Sequence, residues 1–431
     1  MRKRGIATLA VAAVAAATVA ATVGSAGTAR TARTAQPAKS CAFNLRIGDV
    51  LPFTGGLAAY GANLDRAVKV AVGLDNAALK QAGLSSAKVT LVGSEDGQTQ
   101  AAASVEAATK LVKSNKANVI IGEMASSATI PMAQSVTIPN KIVQISPTSS
   151  APQITDIADN GYLWRTYPSD TLQGKVLAAA VIDAFGKGAT VNVGARNDAF
   201  GTALKQLFVT QFTKLGGKVG VNISWNPDQA NFDSEMGQLA GGNPKGWVII
   251  DFPETFQKYV AALVRTGKWD AAQTFMTEAL RNTSVLDPIG NPVVGLRGTA
   301  ASAAGGPAGA SFAAYWQKNV TGAKPYTGFE GTALDAANVA FLAAMKSCSS
   351  SPAKIKANLI SVSGPPGVKV TYLQMAKAIK LLQAGKEVDY EGAFSPVDFD
   401  KNGDTGSAVF EIWKYSGTGK IDTLKTVTFR G

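Results

Sequence analysis

The sequence predicts an α/β protein of two domains, each doubly wound around a mainly parallel sheet. Three observations carry this. Strand-length apolar runs alternate with helix-period segments about five times, or nearly so, up to residue 152, the pattern of βα units stacked into a parallel sheet. The alternation breaks at Tyr162-Leu-Trp-Arg-Thr-Tyr167 and restarts with turns of its own. The chain has 431 residues, and single cores stop growing near roughly 250–300 residues.

Residues 45–51 alternate as a strand, Pro52-Phe-Thr-Gly-Gly56 turns, and 58–79 carries helical periodicity. A strand at 89–92 ends at Glu95-Asp-Gly97, and 99–114 reads as a helix. Residues 118–152 organise this half. Apolar 119–121 stops at Gly122, a polar turn 123–127 follows, and a short helical pattern reaches Val136. The strand 142–145 then ends in Ser146-Pro-Thr-Ser-Ser150. Two parallel strands thus deliver two hydroxyl-rich turns at their carboxyl ends, where open α/β sheets bind ligands.

After the break, helices are predicted at 172–185, 201–215, 234–239 and 255–266. Strands are predicted at 190–194, 218–224, 247–251 and 274–276, the last running into Thr277-Glu278. Residues 295–300 read as a further strand, and 310–319, 332–345, 352–358 and 372–384 as helices. Strands at 394–399 and 408–415 follow, with an antiparallel terminal strand at 424–429.

Arg2-Lys-Arg4, the weakly apolar run 6–23 and Gly24-Ser-Ala26 have the layout of a secretory leader, read as residues 1–26. Ala29 or Ala35 would serve nearly as well for cleavage, and the run is just long enough for an uncleaved anchor. Residues 27–43 read as a flexible polar tail. Removing three basic residues from a net charge of +12 leaves +9. The remaining basic residues are dispersed and no aromatic-plus-basic motif occurs, so nucleic acid is not an expected partner. Two cysteines, Cys41 and Cys348, suit an oxidising compartment. One disulfide between them would tie the start of the mature fold to the end of the 335–346 helix. A lipid anchor on Cys41 is the alternative, against which Pro37-Ala-Lys-Ser40 lacks the expected apolar and small residues.

Several segments match a known family in order and spacing. They are Ile47-Gly-Asp-Val-Leu-Pro-Phe-Thr-Gly55 with Tyr60-Gly61, Ile121-Gly122 with Ala125-Ser-Ser-Ala-Thr129, Ile145-Ser-Pro147 with Pro152, Trp164-Arg-Thr166, Asp198-Ala-Phe-Gly201 and Phe399-Asp-Lys-Asn-Gly-Asp404. Over roughly residues 44–420 the chain resembles the type 1 periplasmic-binding-protein fold, specifically the solute-binding proteins of branched-chain amino acid ABC transporters. The resemblance implies two Rossmann-like lobes with parallel sheets, joined by three hinge crossovers and closing on a ligand. The crossovers would fall near Thr166, Gly298 and Val397. Lobe 1 would be 44–166 plus 299–396, and lobe 2 would be 167–298 plus 397–431. It also implies a monomeric receptor that passes a small-molecule ligand to an ABC transporter permease and needs no cofactor.

A free amino acid needs donors for its carboxylate and an acid for its ammonium. Ser126, Thr148 and Ser150 lie in turns with exposed N–H groups and hydroxyls, and the matching family positions contact the ligand's α-carboxylate and α-amino groups. The structural alternative is that Ser126 caps its helix and Ser150 shapes a turn. Tyr60 stands in the first loop, where the family flanks the ligand with an aromatic. Glu278 follows a strand end, where the family places the partner of the ammonium; its alternative is a helix-start acid favoured by the dipole. Phe200 replaces the tyrosine common in relatives. Asp251 and Phe252 fall where relatives show an aromatic, so Asp251 would add a second negative charge to the cleft, or else cap the 255–266 helix. An amide, urea or aromatic-acid receptor, or an extracellular sensor module, are the neighbouring readings.

Without histidine, Ser-His-Asp and Cys-His catalysis and His-ligated metals are excluded. No phosphate loop or dinucleotide fingerprint occurs. Ser85-Ser-Ala-Lys88 and Ser351-Pro-Ala-Lys354 match the serine–lysine hydrolase tetrad, but no Lys-Thr-Gly partner exists. Asp398-Phe-Asp-Lys-Asn-Gly-Asp404 starts like a calcium loop, yet position 409, where the bidentate Glu belongs, is Val409. A β-turn is expected there, and no enzymatic activity.

Overall fold

The computed structural model of the protein describes residues 41–303, 308–323 and 325–429. The expected leader and the tail before Cys41 lie outside these residues. Cys41 is already buried and Phe43 already in a strand, so the fold starts before the tail boundary expected at 43.

The first sheet holds β1 (Phe43–Leu51), β2 (Ala87–Asp96), β3 (Val119–Gly122), β4 (Val143–Ser146) and β5 (Leu163–Arg165). Its order is β2-β1-β3-β4-β5 and every pairing is parallel. β3 and β4 are buried along their whole length, as expected where helices cover both faces of a parallel sheet; β3 is accordingly apolar up to Gly122, while β4 carries the buried Gln144, which donates to the carbonyl of Gly122 (3.1 Å). The residues 162–167, expected to interrupt the pattern, contain β5. Three residues are too few to show a period, and only pairing with Gln144–Ser146 makes them a strand.

The second sheet contains β6 (Thr190–Arg196), β7 (Lys218–Trp225), β8 (Gly246–Ile250), β9 (Thr274–Met276) and β10 (Arg297–Ala301). After a small parallel pair, β11 (Val368–Val370) with β12 (Val388–Tyr390), the hairpin β13 (Ala408–Gly417) and β14 (Lys420–Phe429) completes it. The order is β14-β13-β10-β9-β8-β6-β7, with β13 antiparallel to both β10 and β14. The terminal strand is thus antiparallel, as expected. In each sheet the winding reverses beside one strand, β1 in the first and β6 in the second, and such switch points open crevices at the carboxyl ends of strands.

The chain returns to the first sheet's flank through the helix Phe329–Ser347, which packs on the helix Ala58–Gln81. It is buried on nearly all sides up to Met345, so it carries no polar outer face, and its Glu330, Asp335 and Asn338 are buried and hydrogen-bonded. Cys348, just past its end, is disulfide-bonded to Cys41, with Cα atoms 5.1 Å apart. The strand expected at 394–399 does not form. Phe394, Val397 and Phe399 are buried, but the backbone N–H groups of Asp398 and Phe399 bond to Ser363 rather than to a strand neighbour. Beyond it, Asp400 accepts the N–H groups of Asn402 (2.8 Å) and Asp404 (3.0 Å), forming a turn. Among the described residues no acidic or cysteine cluster is placed to hold a metal ion, and no helix is long and apolar enough to cross a membrane.

Candidate functional site

The two hydroxyl-rich turns of the first sheet are laced together. Ser146 Oγ donates to the carbonyl of Glu123 (2.7 Å), and Thr148 Oγ1 and Ser149 Oγ both donate to that of Met124 (2.9 and 3.0 Å). Gly122 precedes the first turn at φ +134°, and a Cβ there would lie 2.0 Å from the carbonyl oxygen of Val50. Only glycine fits that approach. Ser126 opens the helix Ser126–Met132, which carries Pro131 and continues as the wider turn Ala133–Thr137. Ser126 does not cap the helix: Ala125 holds that position, and Ser126 Oγ accepts the N–H of Ala151 (3.1 Å). Its own proton therefore stays available. Thr148 and Ser150 differ, since their protons go to Met124 O and to Asp170 Oδ2 (2.9 and 3.0 Å). They face outward as acceptors.

The opposite wall comes from the ends of β6, β8 and β9. Phe200 stacks on Phe252 with ring centroids 5.2 Å apart, and the Arg196 guanidinium lies 3.7 Å from the Phe252 centroid. Glu278 is buried, and burial pushes its carboxyl up to about 7. Gln173 donates to it, but no cation pairs with it among the described residues. Asp170 lies behind, also raised well above the ordinary carboxylate range, by burial and then by the charge of Glu278. Asp170 Oδ1 and Gln173 Oε1 are buried without a hydrogen-bond partner among the described residues.

Between the walls lies a small, half-open cavity with about 290 Å³ of empty space, open solvent included. Six of the expected residues line it: Ser126, Thr148, Ser150, Phe200, Phe252 and Glu278. Tyr60 does not reach the wall. It is buried behind it, edge-on to Phe329 (5.2 Å), and its hydroxyl donates to the carbonyl of Ala279 (2.7 Å) on the opposite side. Asp251 is also absent from the wall. Its Oδ1 pairs with Arg196 Nη1 (3.2 Å) and accepts the N–H of Phe252 (2.7 Å), while Oδ2 accepts Trp225 Nε1 (2.8 Å). That carboxylate is consumed inside its own half, so it adds no free charge to the cavity. Nor does it cap the following helix, which starts at Pro253 behind Phe252. Burial still outweighs Arg196 and holds Asp251 up at about 6.

The family model described as "Periplasmic binding protein" matches residues 44–413. The chain belongs to the periplasmic binding protein family. A relative from Halobacterium salinarum, "Chemotactic signal transduction system substrate-binding protein", is 25% identical over 82% of each chain. A leucine-binding protein structure from Thermotoga maritima superposes with TM-score 0.70 at 20% identity, covering 89% of this chain and 98% of that one. A solute-binding protein from Rhodopseudomonas palustris in complex with 3,4-dihydroxybenzoic acid gives 0.68 at 16% identity, covering 90% and 97%. The family and its fold are those of exported solute-binding receptors, not of enzymes.

In this periplasmic binding protein several wall and support residues carried no sequence signal. Leu57, Met124 and Phe329 complete the apolar side of the cavity. Phe329 comes from a helix more than 170 residues after the turn it faces, and no local pattern points there. Asp170 and Gln173 sit in the first turn of the helix Asp170–Phe185, where an acid reads as an ordinary dipole partner. Their separation of three places both on one helix face, which is the only hint.

Proposed function

We propose that this protein captures a small zwitterionic amphiphile, an amino acid or close analogue, in the cleft and hands it to a membrane permease. The observation that carries this is the polarity across the cavity. Ser126 offers a free hydroxyl proton beside the first N–H groups of its helix, a setting for a carboxylate. Thr148 and Ser150 offer lone pairs, and the buried Glu278 has no cationic partner among the described residues. An ammonium placed there would compensate a carboxylate that is otherwise costly to ionise. Leu57, Met124, Phe200, Phe252 and Phe329 would enclose an apolar side chain.

The lobes would be 44–166 plus 299–396 and 167–298 plus 397–431. A monomer would close by hinge motion because a bound solute contacts both sides only in the closed state. The segment 1–26 would direct export and be removed. Relatives named for amino acid binding support the ligand class: a leucine/isoleucine/valine-binding protein of Rhizobium johnstonii is 28% identical over 44% of this chain. The chemotactic relative supports a sensory role for the same binding event.

A second reading, an aromatic acid, is favoured by the Phe200–Phe252 stack and Phe329. Glu278 counts against it, since such a ligand has no cation to offer. A thermal-shift screen over amino acids, amides and aromatic acids separates the two, because a ligand that binds only the folded state raises stability by mass action. Stabilisation by an amino acid and not by its N-acetyl form supports the proposal. Stabilisation by aromatic acids alone overturns it.

A further inference from the structure

At the far end of the first sheet's flank, a second feature is unrelated to the cleft. Residues 336–386 contain seven lysines and no Asp or Glu. Some are spent locally: Lys346 pairs with Glu387, Lys369 with Glu391, and Lys356 lies 4.4 Å from the Tyr162 ring centroid. Lys377, Lys380 and Lys386 form no ion pair among the described residues. They rim an open groove of about 680 Å³ whose floor includes Leu381 and Ala384, with Gln81 opposite. Leu373 precedes Lys377 and Lys380 at helical spacings of four and seven, and is 59% exposed. Exposed Val368 and Ile360 belong to the same acid-free segment. Aliphatic side chains among unpaired lysines are the composition of a surface that lies on a charged interface.

Two further observations say what covers it. Glu387, beside Lys386, is bound by Lys346, two residues before the Cys348 that is bonded to Cys41. The described chain therefore begins close to this face, and the residues preceding it (27–40) carry Arg30, Arg33 and Lys39 and no acid. That stretch has the same sign of charge as the lysine face, so an anionic partner is the complementary one. The groove is also remote from the cleft. Leu57 lines the cavity and Gln81 the groove, at opposite ends of a 24-residue helix that spans about 36 Å. An occupant here leaves the cleft free.

We propose that this face docks on an anionic lipid bilayer, with Lys377, Lys380 and Lys386 at the headgroups and Leu373 at the interface. Each lysine near such a surface contributes attraction that falls off within a Debye length. The test is co-sedimentation of the exported protein with phosphatidylglycerol-rich and phosphatidylcholine vesicles. Binding to the anionic vesicles alone, weakened by salt, is expected. The triple variant K377E/K380E/K386E should lose roughly tenfold or more of it while its melting temperature is kept. The triple variant K187E/K214E/K218E, with the same change in net charge on exposed lysines elsewhere, should keep most of it. If the first triple melts early, K380E alone should still give a severalfold loss. Equal losses in both triples, no preference for anionic vesicles, or capture by soluble polyphosphate in place of vesicles would overturn the proposal.

Discussion

Replacing Glu278 with Gln tests the charge logic of the cleft. In the free protein Glu278 titrates at about 7, raised from 4.5 chiefly by burial. A ligand ammonium favours the ionised form, so binding expels a proton and affinity rises with pH. If the bound ammonium returns the group to its ordinary value, affinity at pH 5 is about seventyfold weaker than at pH 8. Near pH 6 about 0.9 proton leaves per ligand bound. Asp170 shares the site, so the step belongs to the pair. Calorimetry in buffers of different ionisation enthalpy reads both quantities. Glu278→Gln should weaken binding at least tenfold at pH 8, roughly 1.4 kcal/mol or more. The gap to the unaltered protein should narrow steeply toward pH 5, where Glu278 of the free protein is almost wholly neutral, as Gln is. Affinity flat from pH 5 to 8, or a slope that survives in the Gln variant, refutes the reasoning.

Glu123, Asp335 and Asp251 are held up at about 8, 7 and 6 by burial. The folded protein thus binds more protons than the unfolded chain, and this stabilisation is full below the unfolded pKa values and lost as pH rises through the folded ones. The melting temperature of the ligand-free protein should therefore be higher at pH 5.5 than at pH 8. Cys348→Ser removes a cross-link between residues 307 apart in sequence and should cost about 3–5 kcal/mol in denaturant unfolding. Thr148→Val removes the bond to Met124 O; about 1 kcal/mol of stability should go with it, and solute affinity measured by calorimetry should fall about tenfold.

Parallel strands were legible because burial on both faces leaves uninterrupted apolar runs, as in β3 and β8. β5 was not, being three residues defined only by its neighbour. Phe394, Val397 and Phe399 looked like a strand because they are buried, yet Ser363 takes the backbone bonds a strand would need. The hydroxyl turns stood out because small polar residues follow apolar runs. What each hydroxyl does with its proton depends on Met124, Ala151 and Asp170, which lie 20 or more residues away. Asp251 misled for the same reason. Its partner Arg196 comes from another strand end, 55 residues earlier, and that pairing removes the charge from the cavity. Tyr60 stands one layer behind the wall, a depth that loop position alone does not reveal.

The orientation of a bound solute tests the central claim most directly. A crystal structure with the strongest stabiliser from the thermal-shift screen should place its ammonium in hydrogen-bond contact with Glu278 and its carboxylate at Ser126, with the side chain against Phe200 and Phe252. A ligand reversed in the cavity, or seated outside it, would contradict the account.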